Sequence, residues 1–319
     1  MDYRNNLFTS SDPRNIIHFY EGFVTRDELI EWMKERPKGS CEIVEVEGEN
    51  DIIVVIPTMD FEGEYARRCR EEIFKGLHII FVVSGKGNNY FNYAHNCNLG
   101  IKKAMEYNPK WIVLSNDDMI KVDSAVTLQK KLKESTDSAD VIVNYDFGDN
   151  THSFRIGKVN YIGKILYKIF KHKIKLNNTY PSVFKRFIFY EHIKGRMNLD
   201  YQSFYDNVHN SFVFRFKHLL HHSFDAYFIP GHFSIYSSKF INKMRNELFN
   251  EFFINAHEDD WLGINLTRSK VTIKQIDYKI DSIGGSSLGR QAFPRSFRDM
   301  ASLVLLNHYI ECDYSDFET

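Results

Sequence analysis

Three short apolar runs, each closed by a polar turn and separated from the next by a helical pattern, constrain this chain more than any other feature. Asp51-Ile-Ile-Val-Val-Ile56 ends at Pro57-Thr58, His78-Ile-Ile-Phe-Val-Val83 ends at Ser84-Gly85-Lys86-Gly87, and Trp111-Ile-Val-Leu114 runs into Asn116-Asp117-Asp118. Continuous apolar runs of this length belong to strands covered on both faces. Between the first two, the spacing predicts a helix over 65–74 with Cys69 and Ile73 on one face. Between the second and third it predicts a helix over 94–106, with Ala94, Cys97, Ile101, Ala104 and Met105 together. Strand, helix, strand, helix, strand with short turns gives a parallel sheet flanked by helices. The three strands then point the same way. Thr58, Ser84-Gly85 and Asp117-Asp118 gather at one carboxyl edge, where open α/β sheets bind ligands.

The flanking sequence extends this frame. Thr25-Arg-Asp-Glu28 is a capping box that opens a short helix before Pro37-Lys38-Gly39, and 41–46 alternates as a strand does. After the third run come a charged helix finishing over 129–137 and a strand over 141–145. Further on, 226–229, Pro230-Gly231 and 232–236 read as strand, turn and strand. Helices are expected over 239–250, 258–266 and 296–310, a strand over 271–276, and a flexible loop at Gly284-Gly285-Ser286-Ser287.

Adjacent carboxylates at a strand end are costly unless a cation sits with them. A divalent metal bridging a nucleotide diphosphate is one such cation. A second acid cluster, His257-Glu258-Asp259-Asp260, opens a predicted helix well downstream. Together the clusters point to a metal site and a base. Each also has a plainer account. Asn116-Asp117-Asp118 matches an Asx turn capping the next helix, and acids in a first helical turn suit the helix dipole. Ser84-Gly85-Lys86-Gly87 lacks the GxxxxGK[ST] spacing of a P-loop, which argues against a P-loop kinase or ATPase. His218, His221 and His222 have no carboxylate or cysteine at ligand spacing and read as a basic cluster.

Charge is where composition enters. The chain of 319 residues has a net charge of -1, so no global charge steers it to nucleic acid or membrane. Yet 155–222 holds 13 Lys/Arg against three acids, leaving the rest of the chain 28 basic and 39 acidic residues. In this segment Ile162, Ile165, Leu166, Ile169 and Phe170 fall on one helical face and Lys164, Lys168, Lys171 and Lys175 on the other. That is the pattern of a basic amphipathic helix at an anionic membrane surface. The alternative is a helical subdomain packed on the core. No nucleic-acid-binding motif accompanies the charge, so no nucleic-acid partner is expected. Cys41, Cys69, Cys97 and Cys312 show no metal spacing and read as reduced thiols. Met1-Asp2-Tyr3-Arg4-Asn5-Asn6 is too polar for a signal peptide, and no stretch approaches a membrane span, so a cytoplasmic protein is expected, peripheral at the inner membrane face.

In order and spacing the motifs resemble those of glycosyltransferase family 2, the inverting enzymes with a GT-A fold. The likeness covers about 51–266 and is broken by the basic segment. It rests on Ile52-Ile-Val-Val-Ile-Pro-Thr58, Ile79-Ile-Phe-Val-Val-Ser-Gly-Lys86, Asn98-Leu-Gly100, the DXD-type Leu114-Ser-Asn-Asp-Asp118, Gly231-His-Phe-Ser-Ile235 and Glu258-Asp-Asp-Trp-Leu262. The resemblance implies an α/β, Rossmann-like GT-A fold: a mostly parallel central sheet flanked by helices, with a basic, largely helical insertion. It divides the chain into an N-terminal β/α extension (1–50), a nucleotide-sugar-binding half (51–150), the insertion (151–225) and an acceptor-binding and catalytic half ending in a helix (226–319).

The resemblance also implies roles. Pro57, Thr58, Ser84, Gly85, Asn98, Asp117 and Gly231 would contact a nucleotide-sugar donor linked through UDP, GDP or dTDP. Asp118 would ligate Mg2+ or Mn2+, Asp259 would be the general base, and Glu258 would support it. The acceptor would be a glycan or a lipid-linked molecule. Two positions depart from the family pattern. Ser84 stands where an acid usually contacts the base. Ser282-Ile-Gly-Gly285 stands where the family often has His-x-Gly-Gly, leaving Arg290, Arg295 or Arg298 to meet the diphosphate. The rival readings are a sugar-phosphate nucleotidyltransferase, which usually has a basic Gly-rich loop after the first strand that Pro57-Thr58-Met59-Asp60 does not match, and a non-catalytic nucleotide-sugar-binding protein.

Overall fold

The computed structural model describes residues 18–134, 139–144, 154–158, 197, 201–204, 223–227, 229–283 and 299–312, with 154–158, 201–204 and 223–225 described by backbone. The amphipathic pattern over 162–175, the histidines at 218–222, the loop at 284–287 and Arg290, Arg295 and Arg298 lie outside these residues.

Helix α1 (Arg26–Glu35) starts where the capping box places it, with Thr25 Oγ1 accepting from the Glu28 N–H at 3.3 Å and the Glu28 carboxylate accepting from the Val24 N–H at 2.9 Å. Strands β1 (Glu42–Val46) and β2 (Glu49–Thr58) follow. Then come α2 (Glu64–Arg68), which loosens into a π-helical turn over Cys69–Ile73, and β3 (Leu77–Val83). Next are α3 (Tyr93–Met105), β4 (Trp111–Ser115), β5 (Met119–Lys121), α4 (Ala125–Glu134) and β6 (Val141–Asn144). Three strands, β7 (Phe154–Lys158), β8 (Tyr201–Phe204) and β9 (Ser223–Ala226), form a small sheet of their own. The chain continues through β10 (Phe233–Ser237), α5 (Ser238–Lys243), α6 (Glu258–Arg268), β11 (Ile273–Ile276), β12 (Ile280–Ser282) and α7 (Met300–Glu311).

The central sheet has seven strands in the order β1-β3-β2-β4-β10-β6-β11. Pairing runs parallel for β3–β2, β2–β4 and β6–β11 and antiparallel for β1–β3, β4–β10 and β10–β6. Five strands therefore share one direction, and β1 and β10 oppose them. The predicted α/β sheet with helices on both faces is present. The alternation of side chains along a strand divides the core in two. Ile53 and Val55 face the side covered by α1, α3, α6 and α7, whereas Ile52, Val54 and Ile56 face the side covered by α2, the π turn and α4.

Three elements differ from expectation. The helix expected over 239–250 is only α5, because Arg245 and Asn246 take positive φ values of 55° and 64° and turn the chain. The apolar residues that mimicked its continuation, Leu248 and Phe249, are buried in the core from a loop instead. The strand expected over 226–229 lies earlier, as β9, and belongs to the small sheet. The helix over 65–74 changes its winding at Cys69, where the Phe74 N–H reaches the Cys69 carbonyl at 2.9 Å.

Candidate active site

The carboxyl ends of β2, β3 and β4 meet as the strand pattern requires. Thr58 Oγ1 donates to Asp117 Oδ2 at 2.7 Å, tying the end of β2 to the acids after β4. The Ser84 N–H donates to the Thr58 carbonyl at 2.9 Å and the Ser84 hydroxyl to the same oxygen at 3.2 Å, tying β3 to β2. Pro57 pairs with Val82 one step below. Gly85 turns the chain at a φ of 74°, a conformation that glycine takes without steric cost. Lys86 then reaches back to Asp60 at 2.6 Å across the exposed rim.

Asp117 and Asp118 are distinct in surroundings. Burial pushes the Asp117 carboxyl up; the Thr58 hydroxyl opposes this, the neighbouring Asp118 reinforces it, and Arg68 opposes it. Asp118 is buried, its carbonyl accepts from the Ile283 N–H at 2.9 Å, and Ser282 Oγ lies 3.5 Å from Asp118 Oδ1. That contact follows from the β5–β12 ribbon, in which Ser282 pairs with Met119. Ser282, which the family pattern puts in place of a histidine, thus stands next to Asp118. Among the described residues no three His, Cys, Asp or Glu side chains form a cage of ligands. A Mg2+ ion commonly takes one or two carboxylates and completes its shell with water and substrate phosphates, and Asp118 is the carboxylate at this strand end that could hold one.

Two residues beneath the strand end carry no family signal in the sequence. Cys69 Sγ donates to the Asp117 carbonyl at 3.3 Å, a contact delivered by the π turn. Burial, with Asp117 beside it, pushes the Cys69 thiol up to about 12, so it packs rather than reacts. Arg68 lies over the Tyr65 ring at 5.3 Å, and its buried Nε and Nη2 find no hydrogen-bond partner. Its positive charge stands near Asp117 with nothing in the local sequence, a charged helical run, to single it out.

The second acid cluster arrives from the opposite direction. The Asn116 N–H donates to the His232 carbonyl at 2.9 Å, so the turn before β10 lies against the strand end that carries the acids. A Cβ built on Gly231 would stand 3.6 Å from Asp259 Oδ2. The turn Gly231-His232 therefore has Asn116 on one side and Asp259 on the other. The Tyr93 hydroxyl on α3 donates to the Gly231 carbonyl and fixes the turn from below.

The three acids opening α6 are unequal. Glu258 is buried, its Oε2 has no partner, and burial with Asp259 next to it pushes its carboxyl up to about 8. Asp259 is half-buried; burial and Asp260 push it up to about 7, His257 working against them. Its Oδ1 accepts from the Asp260 N–H at 3.0 Å. Asp260 is buried and pairs with His257 Nδ1 at 2.8 Å.

The Asn98 side chain is engaged within the fold. Its Oδ1 accepts from the Leu248 and Phe249 N–H groups at 3.0 and 3.1 Å, and its Nδ2 donates to the Phe249 carbonyl at 2.8 Å and to Glu251 at 3.1 Å. Gly100, two residues on, has no room for a side chain: a Cβ there would come within 2.3 Å of Val55 Cγ1. The Asn-x-Gly pattern here ties a loop to α3 and lets α3 close on the sheet.

No protein-family model matches the chain, and no curated protein matches it significantly.

Proposed function

We propose that the chain is a metal-dependent inverting glycosyltransferase of GT-A architecture, moving a sugar from a nucleotide-sugar donor to a glycan or lipid-linked acceptor. The observation that carries this reading is that the Gly231-His232 turn touches both the strand end leading into Asp117-Asp118 and the helix start bearing Asp259, with the Asn116 N–H on His232 at 2.9 Å and Asp259 Oδ2 3.6 Å from the Cβ position of Gly231. A strand end that leads into a metal-type carboxylate and a helix start that bears a proton-accepting one, both against the same turn, suit a donor and an acceptor that meet there. The antiparallel β10 inserted between β4 and β6, and the β5–β12 ribbon behind Asp118, support the GT-A assignment.

In this reading Thr58 and Ser84 frame the nucleoside, Asp117 faces its ribose and Asp118 the cation. A divalent ion held there would offset negative charge on the departing diphosphate. Asp259, at about 7, is available in its ionised form near neutral pH and still basic enough to accept a proton in the transition state. It takes the proton of the acceptor hydroxyl. The hydroxyl oxygen bonds to the anomeric carbon from the face opposite the nucleotide. The bond to the diphosphate oxygen breaks and its electron pair leaves with the diphosphate. One displacement inverts the anomeric centre.

Isothermal titration with UDP-, GDP- and dTDP-sugars, with and without Mn2+, tests the reading. Binding of one of them that requires Mn2+ and is lost in Asp118→Asn is the expected result; no binding of any would remove it. With the donor found, Asp259→Asn is expected to lower kcat by about 10²–10⁴-fold while donor affinity holds. Near-normal turnover in that variant would instead fit a phosphate acceptor, which needs no base. No helix among the described residues is long and apolar enough to cross a membrane. A lipid-linked acceptor would be met from the surface, and the basic segment over 155–222 is the part whose composition suits that contact.

A further inference from the structure

Helix α2 starts shortly after β2 reaches the carboxyl edge of the sheet. Its side chains lean back toward that edge, because Cα–Cβ bonds in a helix tilt toward the N-terminus. Arg68 closes α2 and shares a flank with Tyr65, about one turn before it, and the guanidinium lies over the Tyr65 ring at 5.3 Å. The next residue, Cys69, donates its thiol to the Asp117 carbonyl at 3.3 Å and holds this flank against the acid turn. The Arg68 charge acts on both Asp117 and Cys69.

Neighbouring cations are used differently. Arg67 is exposed, and Arg70 donates to the Phe61 carbonyl and lies over the Phe61 ring. Lys86 at the rim pairs with Asp60 at 2.6 Å. In Arg68, by contrast, Nε and Nη2 are buried and have no hydrogen-bond partner. These two nitrogens form one edge of the guanidinium, and their N–H bonds run parallel. That edge takes two oxygens of a phosphate or a carboxylate side by side. Leaving charged donors buried and unfilled costs free energy, so a vacancy of this shape asks for an oxyanion. Arg68 as a whole is only half-buried, and a rotamer change opens the edge to a ligand.

We propose that the Nε–Nη2 edge of Arg68 is a seat for a phosphoryl oxyanion at the strand end that carries Asp117 and Asp118. The phosphoryl group comes from the diphosphate of the donor or from free phosphate; the first source rests on the transfer reading, the second does not. Asp117 beside the seat opposes an anion. Its Oδ2 is already engaged by the Thr58 hydroxyl at 2.7 Å, and a cation at Asp118 would accompany a diphosphate. Ser282, next to Asp118, brings no charge to a phosphate, and Arg68 supplies one from the other side of the acid turn.

Isothermal titration of the full chain with inorganic pyrophosphate, with UDP, GDP and dTDP, and with the matching nucleosides tests the seat, each with and without Mg2+. Arg68→Gln is expected to weaken pyrophosphate and the preferred nucleoside diphosphate by about 10- to 100-fold and to leave the nucleoside unchanged. Arg68→Lys keeps the charge but not the fork and is expected to fall between the two. Loss confined to pyrophosphate would support the seat with free phosphate as its source. Wild-type affinities in Arg68→Gln, or no binding of any phosphate by the wild-type protein, would overturn it. Should Arg68→Gln fail to fold, 15N NMR of the wild-type protein decides. The Arg68 Nε–H signal, assigned by its loss in Arg68→Lys, is expected to shift on adding pyrophosphate, and an unmoved signal at saturation overturns the seat. Pyrophosphate binding that needs Arg68, with no nucleotide sugar bound, leaves the seat standing and removes the transfer reading. Mn2+-dependent binding of a nucleotide sugar at full strength in Arg68→Gln does the reverse.

Discussion

At the scale of single residues, Glu258 and Asp259 separate by environment alone. Glu258 is sealed beside Tyr93 and Cys97 and holds its proton up to about pH 8, whereas the unfolded chain releases it near its ordinary value of 4.5. Between those two values the folded protein binds more protons than the unfolded one, so stability falls as pH rises through that window and levels off above about 8. Glu258→Gln is expected to flatten the Glu258 part of this slope, so that the variant gains on wild type as pH rises from 5 to 8. Urea midpoints at the two pH values check it; a slope equal to wild type would mean that the proton sits elsewhere. The two acid clusters were legible in the sequence because carboxylates are conspicuous after an apolar run, as at Asp117-Asp118, and at the start of a helical pattern, as at Glu258-Asp259-Asp260. The proton on Glu258 was not, since it depends on helix α3 closing over it. Arg68 was equally hidden: in the sequence it is one of three arginines in four positions, and only folding places it near Asp117 while Arg70 turns to the Phe61 carbonyl and ring.

At the scale of elements, α3 is the organiser of the loop that leads into α6. Asn92 caps α3 through the His95 N–H at 2.8 Å and donates to the Glu251 and Phe253 carbonyls at 2.9 Å each. Asn98 adds its own four bonds, and the Ile254 N–H is taken by Ser302 Oγ on α7 at 2.8 Å. Asn98→Ala leaves buried backbone groups without partners and is expected to cost about 2–4 kcal/mol in urea unfolding, with donor affinity unchanged. A fall in donor affinity with stability intact would make Asn98 a ligand contact after all. Gly100→Ala is expected to cost about 1–3 kcal/mol, because its Cβ would meet the Val55 and Val82 side chains at 2.3 and 2.9 Å; calorimetry of the variant reads this directly. Helix starts were readable from caps such as Thr25 and strand cores from uniform apolar runs. The end of α5 was not, because Leu248 and Phe249 satisfy a helical spacing while serving a loop that Asn98 holds.

At the scale of the whole molecule, the chain spends its charge unevenly. The mostly basic segment between β7 and β9 leaves from and returns to one small antiparallel sheet, since β7 pairs with both β8 and β9. Met197 from within that segment is buried in the main core. Flotation with vesicles rich in anionic lipid is expected to carry the protein at about 0.05 M salt and to release it by about 0.5 M, where charges beyond a few ångström are screened. No flotation at low salt would leave 155–222 as a packed subdomain. The sequence by itself determined the three parallel strands, their flanking helices, the acids after the third strand and the acids that open α6, because apolar periodicity and turn chemistry are local properties of a chain. Only the tertiary structure decided that β1 closes the sheet as an antiparallel edge on β3, that β10 enters it between β4 and β6, and that Gly231 joins Asp259 to the edge bearing Asp118. Those are contacts between residues far apart in the chain, chosen by which buried faces and backbone groups satisfy one another once the sheet has formed.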